Sequence, residues 1–145
     1  MTKVLQEVGY RVTSLDFLAK YNADLVVDIF EWQYWRIPPG TFEIITASPP
    51  CTEFSQAKTV GRRNLVRAME IVERTLEIIR YFRPRFWWLE TPRYGKLTRM
   101  ERMRDFFFWD ADYCCFGRDF QKPTRFYGPW VMDIIPPPQL CLGKA

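Results

Sequence analysis

Apolar residues recur at helical spacing between residues 62 and 82, where Leu65, Met69, Val72, Leu76, Ile79 and Phe82 share one face. This pattern predicts the longest helix of the chain, ended by Pro84. Short, dense apolar runs lie on either side. Residues 42–47 (with Phe42, Ile44, Ile45 and Ala47) and residues 85–90 (with Phe86, Trp87, Trp88 and Leu89) read as buried strands. Pro49 and Pro50 stop the first strand, because proline has no N–H for a ladder. Ser48-Pro49-Pro50 is then a stiff, open loop with Cys51 at its tip. Thr91-Pro92-Arg93-Tyr94-Gly95 reads as a second proline-stiffened loop. Strand, helix and strand make one β-α-β unit, whose strands run parallel through a right-handed crossover. Both strands end at the same sheet edge, so Cys51 and Glu90 are expected to face one crevice.

The remaining elements are shorter. Residues 2–8 show helical spacing, and Gly9 is a natural stop. Residues 10–15 alternate well enough for a strand that ends at Asp16. Residues 24–29 form another apolar run, with Asp28 near its end. Residues 32–40 read as a loop and 100–107 as a short helix. Residues 113–116 and 125–132 read as two strands around a polar turn, and the tail from 136 to 145 as irregular. No repeat or linker interrupts the chain, so residues 1–145 are expected to form a single α/β domain with helices on the faces of its sheet.

Composition narrows the chemistry. The chain has no histidine, which removes Cys-His hydrolases, histidine metal sites and histidine bases. None of the four cysteines forms a Cys-x-x-Cys pair, so no metal site is expected. The net charge is +4, and basic residues crowd 61–67, 80–104 and 118–125 with aromatics between them. That fits a polyanionic partner, or equally a set of solvated helix faces. No window is apolar enough for a membrane span and no signal peptide is seen, which predicts an intracellular protein.

A cysteine nucleophile needs thiolate character, which Lys58, Arg62 and Arg63 could lend. A glutamate at the neighbouring strand end could hold or hand over a proton. Cysteine attack is easiest on a conjugated electrophilic carbon activated by protonation elsewhere on its ring, and C6 of cytosine is such a carbon.

Ser48-Pro49-Pro50-Cys51 resembles the Pro-Cys motif of DNA cytosine-5 methyltransferases. Glu90-Thr91-Pro92 is similar to their Glu-Asn-Pro motif, with Thr91 in place of asparagine. Gln121-Lys122-Pro123-Thr124-Arg125 is similar to their Gln-x-Arg-x-Arg motif, with Pro123 at the first arginine. The pattern looks most like short phage- or virus-type members. The resemblance implies a Rossmann-like sheet, mostly parallel with a C-terminal antiparallel hairpin. It implies S-adenosylmethionine as cofactor, with Asp16 at its ribose, Asp28 near its adenine amine and Pro49 in its pocket. It implies double-stranded DNA as partner, with a flipped cytosine as target. Cys51 would add to C6, Glu90 would assist at N3, and Arg125 with Gln121 would steady the base and the loop. Ser48, Pro50 and Pro92 would line the base site. A cytoplasmic setting in a bacterial or phage-infected host goes with that likeness.

The chain also departs from the family's pattern. Its first motif, a strand with a Gly-rich turn, is missing, and so are the last motifs and a target-recognition domain. The chain is therefore expected to be a fragment whose sheet lacks its first strand. Three rival readings stand beside this one. An exocyclic-amine methyltransferase would carry an aromatic after Pro-Pro, where Cys51 stands. An RNA cytosine-5 methyltransferase of DNA-enzyme type is another, because substrate class is not written in these motifs. A non-catalytic nucleic-acid-binding relative would have kept the sheet and lost the cofactor.

Overall fold

The computed structural model describes residues 2–55 and 60–129. The chain divides into two compact units, Met1–Arg36 and Ile37–Ala145. The first unit holds helix α1 (Thr2–Glu7) and two very short strands, β1 (Leu15–Asp16) and β2 (Leu25–Val26). The strands pair in parallel, Leu15 with Leu25 and Asp16 with Val26. A clip fastens their entrance: the Ser14 amide and hydroxyl both donate to Asp24 Oδ2 at 2.7 Å. The sequence predicts longer strands over 10–15 and 24–29. Only two residues of each make the ladder, because capped turns take over at once on the C-terminal side.

The second unit is a four-stranded sheet in the order β3-β4-β6-β5, crossed over by helix α2. The strands are β3 (Ile44–Ala47), β4 (Phe86–Pro92), β5 (Phe108–Asp112) and β6 (Pro123–Tyr127). Helix α2 (Leu65–Phe82) starts at Asn64, whose side chain accepts from the Arg67 amide, and ends at Arg83 in the left-handed conformation. Its inner face buries Ala68, Val72, Leu76, Ile79 and Phe82. Ala68, Val72 and Leu76 join Leu89, Tyr127, Phe54, Leu97 and Met103 in the main core. Strands β3 and β4 are parallel as expected, with Ala47 opposite Leu89. Strands β4, β6 and β5 pair antiparallel. Among the described residues, two pairings are therefore parallel and two antiparallel, where the resemblance implies a mostly parallel sheet with a C-terminal antiparallel hairpin.

Four expectations are corrected. Strand β4 does not stop at Glu90 but runs through Thr91 to Pro92, because β6 pairs with that extension (Glu90 with Phe126, Thr91 with Arg125, Pro92 with Thr124). Residues 113–116 form no strand. They make a 3₁₀ turn closed by Gly117 at φ 78°, and the ladder lies one element earlier, at Phe108–Asp112. Its partner strand begins at Pro123 rather than 125, and residues 130–132 lie outside the described residues. The helix expected over 100–107 is replaced by 3₁₀ turns at Lys96–Arg99 and Glu101–Met103. Leu97, Met100 and Met103 recur every three residues and all face the core, which suits three residues per turn better than 3.6.

Candidate active site

The register of β3 on β4 builds the centre of the site. Ala47 pairs with Leu89, so the next residues, Ser48 and Glu90, emerge side by side. The Ser48 hydroxyl donates to Glu90 Oε2 at 3.2 Å. Two further donors meet the other oxygen: Tyr113 Oη and Lys122 Nζ each reach Glu90 Oε1 at 2.8 Å. Burial pushes the Glu90 carboxyl up. The Lys122 hydrogen bond, the Tyr113 hydroxyl, the Lys122 charge and the Ser48 hydroxyl outweigh it and bring it below the usual glutamate range. The partners respond in kind. Burial and the hydrogen bond to Glu90 raise the Tyr113 phenol, and Lys122 is raised because Glu90 outweighs the cost of its burial.

Cys51 follows Pro49 and Pro50 on the loop that leaves the same edge, and its side chain is half-buried with a free thiol. A tight turn continues from it, as the Phe54 and Ser55 amides donate to the Cys51 carbonyl at 3.0 and 2.8 Å. Two contacts hold this turn. Phe54 is buried at 1% exposure, and its carbonyl accepts from the Lys96 amide at 2.8 Å. Arg63 donates to the Glu53 and Ser55 carbonyls at 2.7 and 2.8 Å. Arg63, expected to favour the thiolate, is thus a brace of the turn that carries Cys51. Arg62 is exposed, and Lys58 lies outside the described residues.

Arg125 and Gln121 take different partners from Glu90. Arg125 grips Asp110 with two hydrogen bonds, at 2.7 and 2.9 Å, and its guanidinium lies 3.6 Å from the centre of the Phe108 ring. Directly paired residues share a sheet face, so Arg125 stands with Thr91 and Asp110 on the face opposite to that of Glu90. Gln121 Nε2 donates to Asp112 Oδ2 at 3.4 Å. Asp112 is 1% exposed and pairs with Arg93, which is 11% exposed, at 3.3 Å. Pro92 closes β4, half-buried, one residue before Arg93.

Asp16 and Asp28 belong to the first unit. Parallel pairing puts both at the C-terminal edge of the β1–β2 ladder. Asp16 Oδ1 accepts from the Leu18 amide at 2.8 Å, and Asp28 Oδ1 from the Phe30 amide at 2.9 Å. Each turn fixes its carboxylate and leaves Oδ2 without a hydrogen bond from the described residues. Two oriented acceptors at one strand edge suit a ligand rich in hydroxyl and amine donors.

Sequence reasoning missed Tyr113 and Lys122 as partners of Glu90, and Asp110 and Asp112 as partners of the arginines. The alternation of β6 held a signal for Arg125, since Glu90 lies opposite Phe126 and its neighbour Thr91 opposite Arg125. Among the described residues, no group of three or more cysteine or acidic side chains is gathered for a metal ion. No helix among them is long and apolar enough to cross a membrane.

No family model matches the chain. It is similar to the probable DNA (cytosine-5)-methyltransferase of Frog virus 3 (isolate Goorha), with 27% identity over 153 aligned positions. The alignment takes in 96% of this chain and 68% of that protein. The likeness read from three short motifs therefore extends along nearly the whole sequence.

Proposed function

We propose that this protein transfers a methyl group from S-adenosylmethionine to C5 of cytosine in double-stranded DNA. The observation that carries the reading is the parallel register that sets Ser48 against Glu90 while the Cys51 loop leaves the same edge. Similarity to a viral protein named for this reaction supports it. So does the free, half-buried state of the Cys51 thiol.

In this reading the target cytosine leaves the duplex and enters the crevice between the ends of β3 and β4. Pro49 and Pro50 hold the backbone before Cys51 extended, which limits the positions its sulfur can take. The Cys51 thiolate forms a bond to C6, and the ring electrons move toward C5 and N3. Glu90 meets N3 and, in its protonated form, donates a proton or hydrogen bond that stabilises the charge developing there; its lowered range makes that form the minor one in the free protein. When bound, S-adenosylmethionine supplies the electrophilic methyl group to C5. A base then removes the C5 proton, the C6–sulfur bond breaks, and Cys51 is regenerated. Ser48, Pro50 and Pro92 line the base site. Gln121 and Arg125 steady it from behind, through Asp112 and Asp110. Within the first unit, Asp16 and Asp28 would hold the cofactor's ribose and adenine amine.

Transfer of tritium from methyl-labelled S-adenosylmethionine tests the reading. Label is expected in unmethylated mixed-sequence duplex DNA, recovered as 5-methylcytosine after hydrolysis, and not in duplex with every cytosine already methylated. Label in RNA alone would move the substrate to RNA. Label in neither would leave a nucleic-acid-binding relative.

A further inference from the structure

We propose that Lys122 and Tyr113 are positioning residues for Glu90, reaching one carboxylate oxygen from the two ends of the connection between β5 and β6. This inference rests on the methyl-transfer reading above. Tyr113 opens the turn that follows β5, and Lys122 is the last residue before β6. Both place a donor on Glu90 Oε1 at 2.8 Å, while Ser48 takes Oε2. A carboxylate gripped on both oxygens by three elements has little rotamer freedom left. The Lys122 ammonium also lies 4.7 Å from the centre of the Tyr113 ring, so the two clamp residues support each other.

Among the described residues, two arginines of this sheet are committed elsewhere. Arg125 is bound to Asp110 and Phe108, and Arg93 to Asp112. Among the described residues, the groups bonded to Glu90 are Ser48 from the end of β3, Tyr113 from the turn after β5, and Lys122 from the residue before β6. The exposures of the pair differ. The Lys122 side chain is 48% exposed and that of Glu90 13%. Lys122 is thus the more solvent-exposed partner of the pair. The clamp thus links the β5–β6 connection to the charge and direction of Glu90.

Single-turnover methyl transfer to unmethylated duplex DNA, measured against pH, tests this in the full chain with Lys122→Met, Lys122→Arg and Tyr113→Phe. Carbon-13 NMR titration of the Glu90 carboxyl runs in parallel. Lys122→Met is expected to slow transfer roughly 10- to 100-fold, with DNA affinity changed less than about threefold. The inflexion due to Glu90 should move to higher pH in both the rate profile and the NMR titration. Lys122→Arg should restore most of the rate, and Tyr113→Phe should shift the inflexion less. An unmoved Glu90 titration in Lys122→Met overturns the clamp, whatever the activity. Unchanged single-turnover rates with weaker DNA binding and a salt slope shallower by about one would make Lys122 a phosphate contact instead. Absence of transfer by the unaltered protein would overturn the methyl-transfer reading, an outcome distinct from either.

Discussion

Burial alone would hold the Glu90 carboxyl above the ordinary glutamate range, yet its three donors bring it below. Because the folded value is depressed, ionised Glu90 contributes stability above its unfolded value of about 4.3, and loses it as pH falls through the lower folded value. Lys122 is raised, so its contribution is fully present below about 10.4 and is lost as pH rises through the folded value. The stability difference between the protein and Lys122→Met should therefore be flat from about pH 5 to 10 and shrink on acidification below about pH 4. Denaturant unfolding across pH checks this. In methyl transfer, Glu90→Gln is expected to cost about 10²- to 10⁴-fold in rate if Glu90 acts at N3 as proposed. The placement of the Cys51 loop and Glu90 at one sheet edge was legible in the sequence, because each follows an apolar run of one β-α-β unit. Tyr113 and Lys122 were not, because they meet Glu90 across 23 and 32 positions from a connection whose path no local pattern encodes.

At the scale of elements, the β5–β6 hairpin rests on two constraints. Asp112 and Arg93 form an ion pair almost without solvent, and removing one partner strands the other charge. Asp112→Ala is expected to destabilise the fold by about 3–5 kcal/mol, read by urea unfolding. Gly128 lies just after β6, where its amide donates to the Phe107 carbonyl at 3.1 Å. A Cβ there would collide with the Trp87 carbonyl. Gly128→Ala should therefore cost about 1–3 kcal/mol, visible as a lowered Tm. Helix α2 and the β3–α2–β4 unit were legible because a long 3.6-residue period and two flanking apolar runs point to the same topology. The hairpin was shifted along the chain because Tyr-Cys-Cys-Phe looks as strand-like as Phe-Trp-Asp-Ala-Asp. Tertiary partners decide between them: Ala111 and Asp112 are buried in the ladder, while Gly117 lets the other run turn.

For the whole molecule, a net charge of +4 understates how much of the positive charge is already spent. Arg67, Arg74, Arg85, Arg93, Arg102, Lys122 and Arg125 all sit in ion pairs. Arg118 is different: it is exposed on the β5–β6 connection, between Phe116 at 54% and Phe120 at 55% exposure. DNA affinity should fall as salt rises, and Arg118→Ala should reduce the log–log slope by about 0.9 if it meets one phosphate. Fluorescence anisotropy across a salt series measures both. The charge total fits a polyanion partner or a set of solvated helix faces. Which cations remain available could be learned only from the pairings.

The central claim is that Cys51 forms a covalent bond to cytosine with Glu90 beside it. The most direct measurement is trapping on duplex DNA containing 5-fluorocytosine in the presence of S-adenosylmethionine, where fluorine blocks the final elimination. A denaturation-resistant protein–DNA adduct is predicted, absent in Cys51→Ser and much slower to form in Glu90→Gln. An adduct that persists in Cys51→Ser, or none with the unaltered protein, would contradict the account.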